Sequence, residues 1–150
     1  MPTREAHAQW FGSVKEGEGR VDLGDGVCEA PYSFGSRFGD EPGTNPEELL
    51  GAAHAGCFSM ALSLMLSTAG IAPEQIDTTA QVSIDQQDGG YRITRSHLIC
   101  EASVPGIDQG TFTRYAEAAK ASCPVSQALA GTDISLDAHL REAAAERPGA

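Results

Sequence analysis

The order of elements in this sequence predicts an α+β fold with a long buried central helix and antiparallel sheets. Strands come first, then one long helix, then strands and helices again, with none of the regular strand–helix alternation of a parallel sheet. Two observations carry that prediction. Leu49 to Pro73 contains no charged residue and is bracketed by helix start and stop signals. On either side lie short segments of alternating or β-rich character separated by glycine and proline turns.

The elements follow in order. Ala6 to Val14 and Gly19 to Leu23 read as strands around a Gly17-Glu18-Gly19 turn. Pro31 to Phe38 (PYSFGSRF) is aromatic, glycine-spaced and reads as extended, ending in the loop GDEPGT. The long helix starts at Asn45, a strong N-cap, with Pro46 at the first helical position and Glu48 completing a capping box. Gly70 and Pro73 stop it, and a short helical piece is expected over Pro73 to Ile76. Thr78 to Asp85 alternates as a strand, and Gly89-Gly90 turns the chain into a second strand, Tyr91 to Val104. After Pro105-Gly106, Thr111 to Ala121 is helical with Phe112, Tyr115, Ala116 and Ala119 on one face. Pro124 interrupts it, Val125 to Ala130 makes another turn or two of helix, and Asp133 to Leu140 is the last strand. One domain over residues 1–140 is expected, with a frayed tail after it.

Bulk properties narrow the function. With 41% hydrophobic residues in 150, the chain can build one core. A net charge of −11 argues against nucleic acid or an anionic membrane as partner, since both call for a basic patch. The uncharged stretch from Leu49 to Pro73 is long enough to raise a membrane span. Its serines, glycines and soluble-type cap favour instead a central helix buried on most sides. MPTREAHAQWFG has no basic region leading into an apolar run, so a cytoplasmic protein is expected. Its four cysteines are then thiols by default rather than a disulfide framework.

Cys57 sits mid-helix, where a free cysteine often only packs. Cys123 directly precedes Pro124 and a helix start, where the dipole favours a thiolate. On local context each residue is open to both a packing and a reactive reading. Cys28 reads as a loop thiol and Cys100 as core packing. His54 and Cys57 share a helix face and could form half a zinc site. His7, His97 and His139 offer no matching pair, so neither a metal nor any other cofactor is expected.

Taken together, Tyr32 to Arg37, Gly43 to Leu49, Ala52 to Ala61 and Cys123-Pro124-Val125-Ser126 resemble the osmotically inducible protein C (OsmC) family, which is related to the organic hydroperoxide resistance (Ohr) proteins. The resemblance runs from about Gln9 to Leu140. It implies an intertwined α+β homodimer with two sites, and a thiol peroxidase acting on organic hydroperoxides in stress defence. By motif position it makes Cys57 the peroxidatic and Cys123 the resolving cysteine. Arg37 and Glu47 match the charged pair of the family's site, with Arg20 a rival for the arginine. The implied reductant is an external dithiol, a lipoylated protein or a thioredoxin-type donor.

That chemistry suits the residue types. Burial in an apolar helix would raise the Cys57 thiol, so a nearby cation is needed, and Arg37 is charged at any working pH. Glu47 would hold the guanidinium in a bidentate pair. Phe34, Phe38, Phe58 and Met60 are candidates to line an apolar substrate pocket. Glu47 and Cys57 lie ten residues apart on one helix, about 15 Å at ~1.5 Å rise per residue. The expected site therefore takes its charged pair from one protomer and its cysteines from the other, the alternative being a helix kinked at Gly51 or Gly56. The other reading is a non-catalytic small-molecule-binding dimer with incidental cysteines. A thiol transferase is disfavoured because no C-x-x-C pair is present.

Overall fold

Turn chemistry and alternation build two three-stranded sheets in the computed structural model, which describes residues 1–142. The chain divides into two compact units, residues 1–49 and residue 50 onward.

The first unit holds an antiparallel meander of β1 (Ala6–Phe11), β2 (Glu18–Leu23) and β3 (Cys28–Tyr32). β1 stops at Phe11, short of the expected Val14, because the chain turns at Gly12 with φ of 93°. Gly19 pairs with both Trp10 and Tyr32, whose rings lie 5.4 Å apart. A Cβ at Gly19 would collide with both rings, so the missing side chain lets them close over the strand.

The extended segment expected over Pro31 to Phe38 is instead two elements. β3 ends at Tyr32, and a short helix, α1 (Phe34–Phe38), follows. Ser33 caps it: the Ser36 N–H donates to Ser33 Oγ at 3.0 Å, and the Ser33 N–H donates to Ser36 Oγ at 2.8 Å. Phe34 and Phe38 then fall one helical turn apart, their ring centroids 5.0 Å from each other.

α2 (Pro46–Thr68) begins in the first unit and continues into the second. Asn45 opens it as expected: the Glu48 N–H donates to Asn45 Oδ1 at 2.8 Å, and Asn45 Nδ2 donates to the Ser36 carbonyl at 3.0 Å. By length and composition alone α2 could cross a membrane. Burial on most sides was expected, but the chain itself buries a single stripe, Gly51, His54, Phe58, Leu62 and Leu66. Met60 and Leu64, on other faces, are 76% and 68% exposed. The helix is apolar nearly all round, and one sheet with one layer of helices can cover only one side of it.

The second unit is built on β4 (Gln75–Gln87), β5 (Gly90–Ser103) and β6 (Asp133–Leu140), in that order. No helical piece forms at Pro73 to Ile76. The Glu74 N–H donates to the Ser103 carbonyl at 2.8 Å and β4 starts at Gln75, so the segment is drawn into the ladder. β4 and β5 form an antiparallel hairpin through Asp88 and Gly89, both with positive φ. Antiparallel sheets were expected throughout, but β6 joins β5 in parallel. A parallel partner requires a crossover, supplied here by α3 (Gln109–Ser122) and α4 (Pro124–Ala128). The core gathers Phe58, Leu62 and Leu66 of α2, Leu98, Cys100 and Ala102 of β5, and Phe112, Ala116 and Ala119 of α3, with Cys123. Arg141, in the expected tail, donates its N–H to the Ala102 carbonyl at 2.9 Å. The tail from residue 143 lies outside the described residues.

Candidate active site

Cys123 lies at a joint between two helices. Its N–H closes α3 by donating to the Ala119 carbonyl at 2.9 Å, and Pro124 then starts α4, so Cys123 is also the N-cap of α4. Proline cannot continue α3 but suits a first helical position, so the Cys-Pro sequence forces this break. The Val125 and Ser126 backbone follows directly and favours the charged form of Cys123.

Cys57, half-buried on α2, packs into the same cluster as Cys123, and each thiol influences the proton of the other. The two thiols are reduced and form a pair with unequal sulfurs. Burial raises Cys57, and its neighbour Cys123 raises it further, while the Val125 backbone pulls the other way. Burial also works to raise Cys123, but the neighbouring Cys57 thiol, the Ser126 and Val125 backbone and the Ser126 hydroxyl outweigh it and lower it. Of the two, Cys123 is therefore the thiol that gives up its proton more readily. The remaining cysteines differ sharply. Cys28 is exposed on β3, whereas Cys100 is fully buried and pushed up to about 11 by that burial, as an inert packing thiol should be.

His54 lies one turn before Cys57 and is fully buried. Its Nδ1 is 2.7 Å from Ser96 Oγ on β5, and its Nε2 is 2.8 Å from Ser126 Oγ on α4. Burial lowers its pKa, so the ring is held neutral. Both ring nitrogens are engaged by hydroxyls, and no three His, Cys, Asp or Glu side chains cluster for a metal among the described residues.

In the first unit, Arg37 ends α1 and Glu47 opens α2. Arg37 Nη2 donates to Glu47 Oε1 at 2.7 Å, and its Nε lies 3.1 and 3.2 Å from the two carboxylate oxygens. Glu47 is buried and Arg37 only partly so, which leaves part of the guanidinium open to an incoming group. Arg20 is committed elsewhere, on the exposed sheet surface, donating to Glu29 at 2.9 Å. Beside Arg37 lies a mainly apolar pocket of about 490 Å³ lined by Trp10, Tyr32, Phe34, Phe38 and Pro46 among others. Of the four pocket candidates, Phe34 and Phe38 line it. Phe58 is fully buried in the core, and Met60 faces outward. Trp10 and Tyr32 were not foreseen as lining residues, nor were Ser96 and Ser126 as partners of His54.

Residues 39–137 match the family of OsmC-like proteins. The chain is 53% identical over 139 residues to the peroxiredoxin OsmC of Escherichia coli (strain K12), covering 92% of this chain and 96% of that protein. It is 32% identical over 125 residues to the organic hydroperoxide resistance protein of Xanthomonas axonopodis pv. citri (strain 306), covering 79% of this chain and 84% of that one. The fold is similar to the crystal structure of the organic hydroperoxide resistance protein OhrB of Bacillus subtilis, with a TM-score of 0.69 at 25% identity over 91% of this chain and 98% of that one. With Cys57 of α2 paired to Cys123 at the joint of α3 and α4, and with these relatives, this chain belongs to the OsmC family and is a cysteine-based peroxidase.

Proposed function

We propose that this peroxidase reduces organic hydroperoxides to alcohols by way of a Cys57 sulfenic acid and a Cys57–Cys123 disulfide. The packing of Cys57 beside Cys123 carries this reading, because a resolving sulfur has to reach the sulfenic sulfur at close range. Attack of the Cys57 sulfur on the distal peroxide oxygen breaks the O–O bond. The sulfur leaves as sulfenic acid, and the alkoxide takes a proton to become the alcohol. Cys123 then displaces hydroxide from that sulfur, giving the disulfide and water. An external dithiol, of the lipoylated or thioredoxin type, takes the oxidising equivalents and restores both thiols.

Proton placement supports a role for a cation. Reduced Cys57 is the more protonated of the pair, so a guanidinium beside it is needed to draw the charge onto that sulfur for the first step. Arg37, held by Glu47 and open on one side, is the candidate for that cation, and it stands at the rim of an apolar pocket suited to an alkyl chain. The functional molecule in this reading is a single-domain cytoplasmic homodimer, with the charged pair from one protomer serving the cysteines of the other.

The test is peroxide consumption with excess dithiol. Cumene hydroperoxide should be reduced faster than hydrogen peroxide, by about tenfold or more if the pocket binds the organic group. Cys57→Ser should abolish turnover. Equal rates on the two peroxides would remove the organic specificity, and turnover surviving Cys57→Ser would remove the mechanism.

A further inference from the structure

Among the described residues, His54 is the one buried titratable group near the sulfurs that this cycle leaves unused. Its ring bridges Ser96 Oγ at Nδ1 and Ser126 Oγ at Nε2, and the Ser126 hydroxyl is close enough to the Cys123 sulfur to lower its pKa. Two hydrogen bonds thus tie β5 through α2 to α4, and the serine at their far end stands beside Cys123. Ser96, His54 and Cys123 are all at most 1% exposed, so water does not compete with these bonds.

The direction of these bonds follows from counting protons. A thiolate at Cys123 can only accept. If Ser126 gives its one hydroxyl proton to that sulfur, its oxygen must accept from His54 Nε2–H. A neutral ring protonated at Nε2 has a bare Nδ1, which accepts from the Ser96 hydroxyl. Every bond then points toward the sulfur. With a protonated Cys123 the sulfur no longer demands the Ser126 proton, and the ring is free to adopt the opposite tautomer.

We propose that His54 and Ser126 are positioning residues for the resolving thiol: His54, neutral and protonated at Nε2, aims the Ser126 hydroxyl at the Cys123 sulfur and so readies it to attack the sulfenic acid at Cys57. The proposal rests on the two-cysteine cycle. In the step it serves, the Cys123 thiolate forms the S–S bond, the S–O bond of the Cys57 sulfenic acid breaks, and the leaving hydroxide takes up the proton that Cys123 had released, giving one water. The oxygen comes from the hydroperoxide of the first step, so no other oxidant is required. The titratable groups facing Cys123 are Cys57 from α2 and, through Ser126, His54. Burial keeps His54 neutral, and the Ser126 hydroxyl is among the groups that lower Cys123.

Two measurements test this. The first is the tautomer of His54 in the reduced Cys57→Ser chain, read from its ¹⁵N shifts across pH. Nε2–H is expected while Cys123 is a thiolate, declining as Cys123 takes its proton, and the link should vanish in Ser126→Ala. An Nδ1–H ring, or a tautomer indifferent to Cys123, overturns the proposal. The second is single-turnover kinetics with intact cysteines. Ser126→Ala should slow disulfide closure about tenfold relative to the preceding oxidation, as expected for losing a hydrogen bond to a charged sulfur. His54→Gln, whose amide can donate as Nε2–H does, should retain most of the closing rate, and His54→Leu should not. Unchanged closure in all three variants, or equal loss in the Gln and Leu variants with native near-UV circular dichroism, overturns it. If the wild-type chain forms no disulfide at all, the two-cysteine cycle fails, and the tautomer measurement still decides the role of His54.

Discussion

At His54 two serine hydroxyls replace the water that an imidazole normally has around it. Protonating the buried ring would place a charge where only neutral oxygens face it, which is why its pKa falls below the usual 6.5. The same depression makes folding sensitive to acid. An unfolded chain takes the proton as pH falls through about 6.5, whereas the folded one does not, so the unfolded state binds more protons and stability declines. The decline continues until the native ring itself is protonated. Denaturant midpoints measured from pH 7.5 down to 5 should therefore drop for the wild-type chain. His54→Gln removes this titration and should flatten that part of the profile. An equal decline in both proteins would assign the acid sensitivity to other groups. Cys57 and Cys123 show the same logic with the opposite consequence. Two neighbouring thiols cannot both ionise readily, and the Val125 and Ser126 backbone tips the balance toward Cys123.

Elements explain what the sequence could and could not reveal. The start of α2 was legible because Asn45, Pro46 and Glu48 cap it with local chemistry, and β6 matched its expected bounds, Asp133 to Leu140, because alternation and a turn delimit it. Cys123 at the start of α4 was legible because Cys-Pro can only end one helix and begin another. α1 was missed because Tyr32, Phe34 and Phe38 alternate as a strand would, and because its capping box closes through Ser36 rather than the usual Glu or Gln. The partners of His54 carry no local signal: Ser96 and Ser126 are 42 and 72 positions away, and only the packing of β5 and α4 brings them in. In the proposed mechanism the element that matters for reactivity is the joint between α1 and α2. Asn45 ties the Ser36 carbonyl to the α2 cap, and this fixes Arg37 against Glu47. Arg37→Lys keeps the charge but loses the two-pronged hold, and should slow oxidation of Cys57 by roughly tenfold at neutral pH. Arg37→Ala should cost more, with partial recovery as rising pH deprotonates the thiol without help. Rates of sulfenic acid formation against pH check both, and an unaffected Arg37→Ala would remove this arginine from the reaction.

The whole molecule has a surface that a single chain leaves unfinished. α2 is one uninterrupted helix from Pro46 to Thr68, apolar on nearly every side, yet Met60 and Leu64 stand open to solvent. Fully burying a side chain of that size is worth roughly 1.5–3 kcal/mol, so a second copy laid along this face would gain substantially. A two-fold axis crossing the helix near residue 52 would run two copies antiparallel and bring the N-terminal end of one toward the middle of the other. Glu47 is at that end and Cys57 lies ten residues further along, which is the arrangement a shared site requires. The test is complementation between dead chains. Cys57→Ser and Glu47→Ala are each expected to be inactive alone. After mixing and subunit exchange, each heterodimer would hold one site with both lesions and one with neither. Random exchange makes half the dimers mixed, so activity should return to about a quarter of the wild-type value. Exchange is verified by mass spectrometry of differently labelled chains. Confirmed heterodimers without activity would mean that Glu47 serves the Cys57 of its own chain, and the shared site would have to be abandoned while the dimer stood.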